Sequence, residues 1–176
     1  NDMILEIHLP KLNLLTDVKN NGDNFSVNWA NCIGYCMIEY ISLEIGGTEI
    51  DRHSGEWLYL QSELTLSDTK KRVNNMLTHN KIFQVFETSK EVKCYIPLNF
   101  WFCKEIGAAI PLVALQYHEI KIHVKFKDFN KCIIVEKDID IDSGLINETQ
   151  EKPKHQSIVN SQLLCNYIFL DKTERI

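Results

Sequence analysis

The six histidines are the first residues to test for metal chemistry, because imidazole nitrogen is a common zinc ligand. One short segment resembles a zinc protease motif, because it contains His118, Glu119 and His123. That motif needs histidines four apart on one helical face, whereas these are five apart in a stretch that alternates like a strand. No two histidines are separated by a single residue, as a barrel metalloenzyme would need. We expect no metal and no cofactor.

Three aspartates at alternate positions, Asp138, Asp140 and Asp142, resemble the start of a calcium-binding loop. Such a loop requires glycine at its sixth position and glutamate at its twelfth. Counted from Asp138, those positions hold Ser143 and Thr149. We therefore predict a strand whose aspartates face water, with a loose calcium contact as the alternative.

Six cysteines are dispersed through apolar stretches of the chain, at positions 32, 36, 94, 103, 132 and 165. Only Cys32 and Cys36 are close in sequence, and a zinc ribbon would require a second such pair. We predict reduced, buried thiols, since a chain of 176 residues can build a core without disulfides. The glycines match no nucleophile elbow, phosphate loop or dinucleotide fingerprint, so the sequence predicts no enzyme.

Two triplets fit the acceptor pattern for N-glycosylation, and they begin at Asn24 and Asn147. Both lie in segments that we predict to be surface loops. Such triplets arise often by chance, and the sequence opens with no secretory signal. Modification of Asn24 or Asn147 is therefore the less favoured interpretation.

The charge balance argues against direct contact with nucleic acid. The formal net charge is −5, and Arg52, Arg72 and Arg175 are the only arginines. The remaining basic residues are lysines interleaved with carboxylates, whereas a phosphate-binding surface concentrates arginine and lysine on one face. No apolar run approaches the roughly 20 residues of a spanning helix, so we also expect no membrane insertion.

Strand patterns dominate the chain and predict an all-β sandwich or barrel in one domain. Apolar residues alternate with polar ones in residues 119–126 and in residues 3–9, where Glu6 and His8 are expected on the face opposite the apolar residues. Residues 163–170 are apolar on both faces, which predicts a strand in the middle of a packed layer. Further strands are predicted in three segments, residues 37–50 with a tight turn at Gly46 and Gly47, residues 92–98 and residues 132–135.

The exception is a helical insertion around residues 55–79. Trp57, Leu60 and Leu64 recur at helical spacing, and a second apolar set at Val73, Met76 and Leu77 follows. Ser67 or Asp68 is expected to cap the second of these two short helices. Between the strand and the first helix, Arg52, His53 and Glu56 could form an ion-pair cluster, but a solvated turn is the preferred interpretation.

Two blocks of residues resemble a known family. Residues 41–58, ISLEIGGTEIDRHSGEWL, resemble the "EIGG…IDRH…GEWL" segment of major capsid proteins of nucleocytoplasmic large DNA viruses. Residues 95–103, YIPLNFWFC, and residues 107–120, GAAIPLVALQYHEI, resemble a second signature of that family. Residues 1–10 and 167–175 resemble flanking segments in the right order. Ser54 departs from the pattern, because an aromatic residue is common there.

The resemblance implies an antiparallel eight-stranded jelly-roll sandwich whose first strand precedes this sequence. Residues 1–176 would be a single domain, the N-terminal half of a double jelly-roll subunit. The resemblance further implies trimeric pseudo-hexagonal capsomers that tile an icosahedral shell in the virion, with assembly in the host cytoplasm. Partners would be further copies, neighbouring capsomers and minor capsid proteins. We expect the apolar run 100–102 inside the sandwich or at a subunit contact.

Two other classes of function remain as alternatives. A carbohydrate-binding jelly roll of a spike or minor capsid protein would hold a sugar on exposed aromatics, for which Trp29, Trp57 and Trp101 are the candidates. An enzyme of the cupin type would require several histidines in one cavity.

Overall fold

The structure is a computed structural model that describes residues 2–12, 25–80, 90–137 and 156–169. Strands make up most of the regular structure in these residues. The strands are β1 (Met3–Leu9), β2 (Phe25–Trp29), β3 (Ile38–Ile45), β4 (Thr48–Ser54), β5 (Val92–Pro97), β6 (Ile120–Phe126), β7 (Ile133–Lys137) and β8 (Asn160–Cys165). The helices are α1 (Ile33–Cys36), α2 (Gly55–Thr65), α3 (Asp68–Leu77) and α4 (Trp101–Lys104), with 3-10 turns at Ile106–Ala108 and Phe129–Lys131.

All the strand pairs are antiparallel, and they form three sheets with the strand orders β5-β1-β8, β2-β7 and β4-β3-β6. The predicted all-β architecture is therefore confirmed. The predicted helical insertion is also confirmed, because α2 and α3 occupy most of residues 55–79. The β3-β4 turn lies at Gly46 and Gly47, whose φ angles of 58° and 84° are those of a tight hairpin that favours glycine.

The core lies where the inner faces of the sheets meet α1 and α2. More than half of its members are branched aliphatic side chains, and β1, β3 and β5 contribute the largest share of these, which suits the pleated surface of a sheet. The largest fully buried hydrophobic residues are Phe100, Ile7, Ile33, Ile38, Ile41, Leu43, Leu58 and Ile96. Phe100 and Phe102 are buried, as expected for the run 100–102, whereas Trp101 is 39% exposed.

The predicted strand at residues 3–9 is confirmed, and Glu6 alternates along it with Leu5 and Ile7. Glu6 is nevertheless buried, with only 6% of its surface exposed. The cause is the position of β1, which lies between β5 and β8 and is covered by the side chains of both neighbours. His8 is also only partly exposed.

The apolar stripes of α2 and α3 face away from the core, contrary to the usual rule for an amphipathic helix. In α2, Trp57, Leu60 and Leu64 are 49%, 52% and 82% exposed, while Gly55, Leu58 and Ser62 are buried. In α3, Val73 and Met76 are exposed, while Asn74 and Asn75 are buried. The periodicity located both helices correctly but did not indicate which face packs on the sheets.

Both helices begin at serines. The Ser54 hydroxyl accepts a hydrogen bond from the backbone N–H of Trp57, and the N-cap position of α3 is Ser67, one of the two predicted residues. The Ser54 contact gives the first turn of α2 a partner for an otherwise unpaired N–H.

The predicted central strand at residues 163–170 is wrong in position and in burial. β8 ends at Cys165, and among the described strands it lies at the edge of its sheet, with β1 as its neighbour. Leu164 is 42% exposed, and Tyr167, Ile168 and Phe169 beyond the strand are also exposed. A sequence that is apolar on both faces thus meets solvent in this chain.

Gly55 is the point at which α2 makes its closest approach to the rest of the fold. A Cβ atom at this position would lie 2.2 Å from the carbonyl oxygen of Tyr35 and 2.6 Å from that of Ile38. Both neighbours are backbone atoms of α1 and β3, which cannot turn aside as a flexible side chain can. Glycine is therefore required for α2 to begin directly after β4.

We predict that Gly55→Ala lowers the free energy of unfolding by about 3 kcal/mol, since the added methyl group overpacks rigid backbone. Gly107→Ala is the matched control, because no atom lies within 4 Å of a Cβ built there. Its effect should stay within about 0.5 kcal/mol. Urea unfolding of both variants measures the difference, and equal midpoints would contradict the packing argument.

Candidate assembly surfaces

The histidines that the structure describes do not converge on a common site. His123 lies on the exposed face of β6 with its Nε2 atom 2.9 Å from a carboxylate oxygen of Glu44. His118 precedes the strand, and its ring lies over Gly46. His79 contacts the backbone carbonyl of Lys93 through Nε2. Within the described ranges, no three His, Cys, Asp or Glu side chains are placed to hold a metal ion.

Several residues singled out in the sequence lie outside the described residues. These are the possible glycosylation sites Asn24 and Asn147 and the aspartates at positions 138, 140 and 142. Their predictions therefore stay predictions.

The cysteines are free thiols in apolar surroundings. Cys32, Cys94 and Cys132 are buried, and the other three are partly exposed. Burial raises the pKa of the Cys94 thiol to about 12 and those of Cys32 and Cys132 to about 11. Because a reactive cysteine needs a lowered pKa, these three thiols are packing groups at neutral pH.

Arg52, His53 and Glu56 form neither the predicted solvated turn nor an ion-pair cluster. Arg52 and His53 lie on β4, and Glu56 opens α2. Arg52 pairs with Glu49 at 2.7 Å, and Glu56 pairs with Lys127. The alternation of β4 sends neighbouring side chains to opposite faces, which separates Arg52 from His53.

His53 packs into the core as an aromatic ring. Its imidazole stacks on Phe100 with ring centroids 5.0 Å apart and an interplanar angle of 21°. The Nε2 atom lies 3.4 Å from Asp51, and the buried Nδ1 atom has no hydrogen-bond partner in the structure. Burial lowers the pKa of His53, and Lys104 adds to this, whereas Asp51 opposes it. The ring is thus held in the neutral form at neutral pH.

Glu6 is a buried carboxylate that accepts several hydrogen bonds. Its carboxylate accepts hydrogen bonds from His8 Nε2 at 2.6 Å, from Gln162 Nε2 at 2.6 Å and from the Tyr95 hydroxyl at 3.5 Å. These donors come from β1, β8 and β5, so all three strands of the sheet contribute. The hydrogen bond from His8, followed by that from Gln162, lowers the pKa of the Glu6 carboxyl. A buried carboxylate with three donors is a structural group that fixes the register of the strands.

The outer face of the β4-β3-β6 sheet is covered by paired charges. Lys125 pairs with Glu39 at 2.9 Å, and Lys121 pairs with Glu119 at 2.8 Å. The guanidinium of Arg52 lies 4.3 Å from the centre of the Tyr40 ring. We call this surface the ion-paired face. Since its cations have partners within the chain, it offers no unpaired basic patch.

Three groups of exposed apolar residues lie outside this face. The first, on α2, consists of Trp57, Leu60 and Leu64, and we call it the α2 stripe. The second, in and beyond the 3-10 turn after α4, consists of Ile106, Val113 and Tyr117, which are 78%, 69% and 88% exposed, and we call it the turn patch. The third is residues 167–169 after β8. Of the three, the α2 stripe runs along one face of a helix, and continuous exposed apolar surface of that kind marks an interaction site.

The three tryptophans, all of which lie in the described part of the chain, do not share a cavity. Trp29, which is 2% exposed, lines a cavity of about 220 Å³ with Leu9, Met37 and Phe129. A second cavity, of about 290 Å³, lies between α2, α3 and the end of β5. Trp57 and Trp101 are exposed but line neither cavity. No observation therefore favours the carbohydrate-binding alternative.

The helices of the insertion are short. Among the residues that the structure describes, no helix is long and apolar enough to cross a bilayer.

Comparison with solved structures identifies the fold class. The chain is similar to VP54 of PBCV-1, whose crystal structure was fitted into a reconstruction of the virophage Sputnik. The TM-score is 0.56 at 24% identity, covering 72% of this chain and 27% of that one. The likeness identifies the fold as an antiparallel jelly roll, as the sequence resemblance predicted.

Sequence comparison identifies the family. Residues 1–171 match the family described as the major capsid protein N-terminus. The chain is 36% identical over 134 residues to probable capsid protein 4 of Acanthamoeba polyphaga mimivirus, and 35% identical over 151 residues to the major capsid protein of Pyramimonas orientalis virus. These matches cover 75% and 84% of this chain. The chain therefore belongs to the N-terminal family of major capsid proteins.

The chain is much shorter than these relatives. It spans 26% of the length of the mimivirus protein and 33% of the length of the Pyramimonas orientalis virus protein.

We predict that the free energy of unfolding decreases when the pH is lowered, because His53 then becomes charged. The folded pKa lies below the unfolded value of about 6.5, so the unfolded chain binds the proton first. The free energy of unfolding should decline as pH falls from 6.5 toward the folded pKa and should be insensitive to this group above 7. His53→Phe keeps an aromatic ring against Phe100 and removes the titration.

Urea unfolding at several pH values between about 7.5 and 5 measures this slope. The His53→Phe variant is expected to show a flatter dependence than the unaltered chain. Identical slopes for the two proteins would refute a role for His53.

Proposed function

We propose that this chain is a structural component of an icosahedral viral capsid and has no catalytic role. The observation that carries the proposal is the family match, which extends over residues 1–171 and so includes all the described strands. Relatives at 35% and 36% identity bear the names of capsid proteins. A rigid jelly roll held by a branched aliphatic core suits a protein that works by packing rather than by binding a substrate.

We further infer that the protein self-assembles into trimeric capsomers of pseudo-hexagonal outline. In this proposal the chain supplies the first of two jelly rolls in each subunit. The lengths of the relatives leave room for a second domain of similar size, since this chain spans 26% to 33% of them. The α2 stripe and the turn patch support self-assembly, because both expose apolar surface that a solitary soluble domain normally covers.

The proposed partners are further copies of the protein, neighbouring capsomers and minor capsid proteins. We place the protein in the shell of the virion and its assembly in the host cytoplasm. Direct contact with nucleic acid is not part of the proposal, because Arg52, Lys121 and Lys125 already pair with carboxylates of the same chain. Phosphate binding would have to break these pairs.

The oligomeric state of the full-length protein tests this proposal. Light scattering coupled to size-exclusion chromatography should give three times the protomer mass, and negative-stain images should show particles of hexagonal outline. A monomer at micromolar concentration would contradict capsomer formation. Mass spectrometry of purified virions should find the protein among the most abundant chains, and its absence from virions would contradict a shell role.

A further inference from the structure

The cavity of about 220 Å³ lies where the three sheets come together. Leu9, Trp29 and Phe126 line it, and these residues end β1, β2 and β6, one strand from each sheet. A molecule held in the cavity would therefore contact all three sheets. Most of the wall is apolar, and the apolar lining residues include Leu9, Trp29, Met37, Phe126, Phe129 and Ile158.

Two buried polar atoms belong to residues of this wall. The indole Nε1 of Trp29 is a hydrogen-bond donor, and the amide Oε1 of Gln156 is an acceptor. Neither atom has a hydrogen-bond partner in the described part of the chain, although Trp29 is only 2% exposed. Buried polar groups are almost always satisfied, because an unpaired one loses its bonds to water without replacement. Since both residues line the cavity, a molecule within it can be their partner.

The charged residues of the lining do not favour an ion, because one is a cation and the other an anion. Lys127 lines the cavity, but its ammonium pairs with Glu56 at the start of α2. The carboxylate of Asp128, which also lines the cavity, would repel an anion. The unpaired donor of Trp29 and the unpaired acceptor of Gln156 thus suit a neutral ligand that carries both an acceptor and a donor.

The volume of the cavity distinguishes between water and a larger molecule. An apolar cavity of about 150 Å³ is sufficient for benzene, whereas one water molecule occupies about 30 Å³ of the liquid. Water that filled about 220 Å³ would amount to about seven molecules, each of which needs two to four polar partners. The largely apolar wall does not supply so many. An apolar body with one hydroxyl group fills the space and also satisfies the two polar atoms.

We propose that this cavity binds a small neutral molecule in which one hydroxyl group is joined to an apolar body of about six or seven heavy atoms. The hydroxyl oxygen accepts a hydrogen bond from Trp29 Nε1, and the hydroxyl group donates one to Gln156 Oε1. The apolar body packs on the rings of Trp29 and Phe129, which meet edge to face with centroids 5.8 Å apart. A sugar does not fit, because nearly every carbon of a sugar carries a hydroxyl group that would need its own partner.

Phenol and benzene are the probes for this site, since they differ only in the hydroxyl group. Calorimetric titration of the full-length protein should give saturable phenol binding with a dissociation constant of about 1 mM or below. Benzene should bind about 3- to 10-fold more weakly, which corresponds to the net contribution of one hydrogen bond. Phenol should also raise the Tm in a concentration-dependent manner, because it binds the folded state.

Two substitutions test the named contacts. Trp29→Phe keeps an aromatic ring and removes the N–H donor, so the preference for phenol over benzene should fall to within about twofold. Trp57→Phe is its matched control, because Trp57 does not line the cavity, and it should keep the preference. Gln156→Met removes the acceptor at a partly exposed position and decides the question if Trp29→Phe does not fold. Its control is Gln61→Met on α2, because the Gln61 carbonyl oxygen is likewise buried without a partner among the described residues but lies outside the cavity.

Three results would overturn the proposal, with circular dichroism reporting the fold of each variant. Absence of saturable phenol binding up to about 10 mM would mean that water or the rest of the polypeptide fills the cavity. Equal affinities for phenol and benzene would mean that the two polar atoms take no part. A preference for phenol that survives in Gln156→Met or in a folded Trp29→Phe, or that is lost in the control variants, would place the hydroxyl group elsewhere. None of these results bears on the oligomeric state, so this inference and the proposed function fail separately.

Discussion

The pairing of β1 with strands on both sides is the constraint on which the rest of the structure depends. β1 lies near the start of the sequence, yet its partners are β5, about 90 residues away, and β8, about 155 residues away. Closing loops of this length costs conformational entropy before any contact forms. The buried carboxylate of Glu6 offsets part of this cost, since it is satisfied only when His8, Tyr95 and Gln162 are all in register.

That arrangement makes the sheet intolerant of slippage. In an antiparallel pair, a shift of one residue sends every side chain to the opposite face. For β8 such a shift would remove Gln162 from Glu6 and leave a buried charge short of a donor, which costs more than the hydrogen bond contributes. The same strand also carries Leu163 opposite Leu5. The polar contacts on one face of the sheet and the apolar contacts on the other therefore favour the same register. The core forms only when the strands pair in that register.

The sequence could predict where the elements lie, because alternation and helical spacing are local properties of the chain. The strand at residues 120–126, the turn at Gly46 and Gly47, and both helices of the insertion were found in this way. The burial of Glu6 could not be predicted, since it depends on β1 being a central strand. His53 has no sequence signal either, because its contact with Phe100 joins residues 47 positions apart.

The remaining failures share a different cause. The apolar residues near β8 were expected in a packed layer, and the usual rule for an amphipathic helix would bury the α2 stripe as well. Periodicity shows that a face is apolar but not what covers it. In a chain that folds alone, the only cover is the chain itself, and the inference from apolar to buried holds. In a protein of a shell-forming family, other copies can supply the cover, and that inference fails at the contact surfaces. Positions where the pattern and the burial disagree, such as Leu60 and Leu64, are therefore the first positions to test for contacts with other chains.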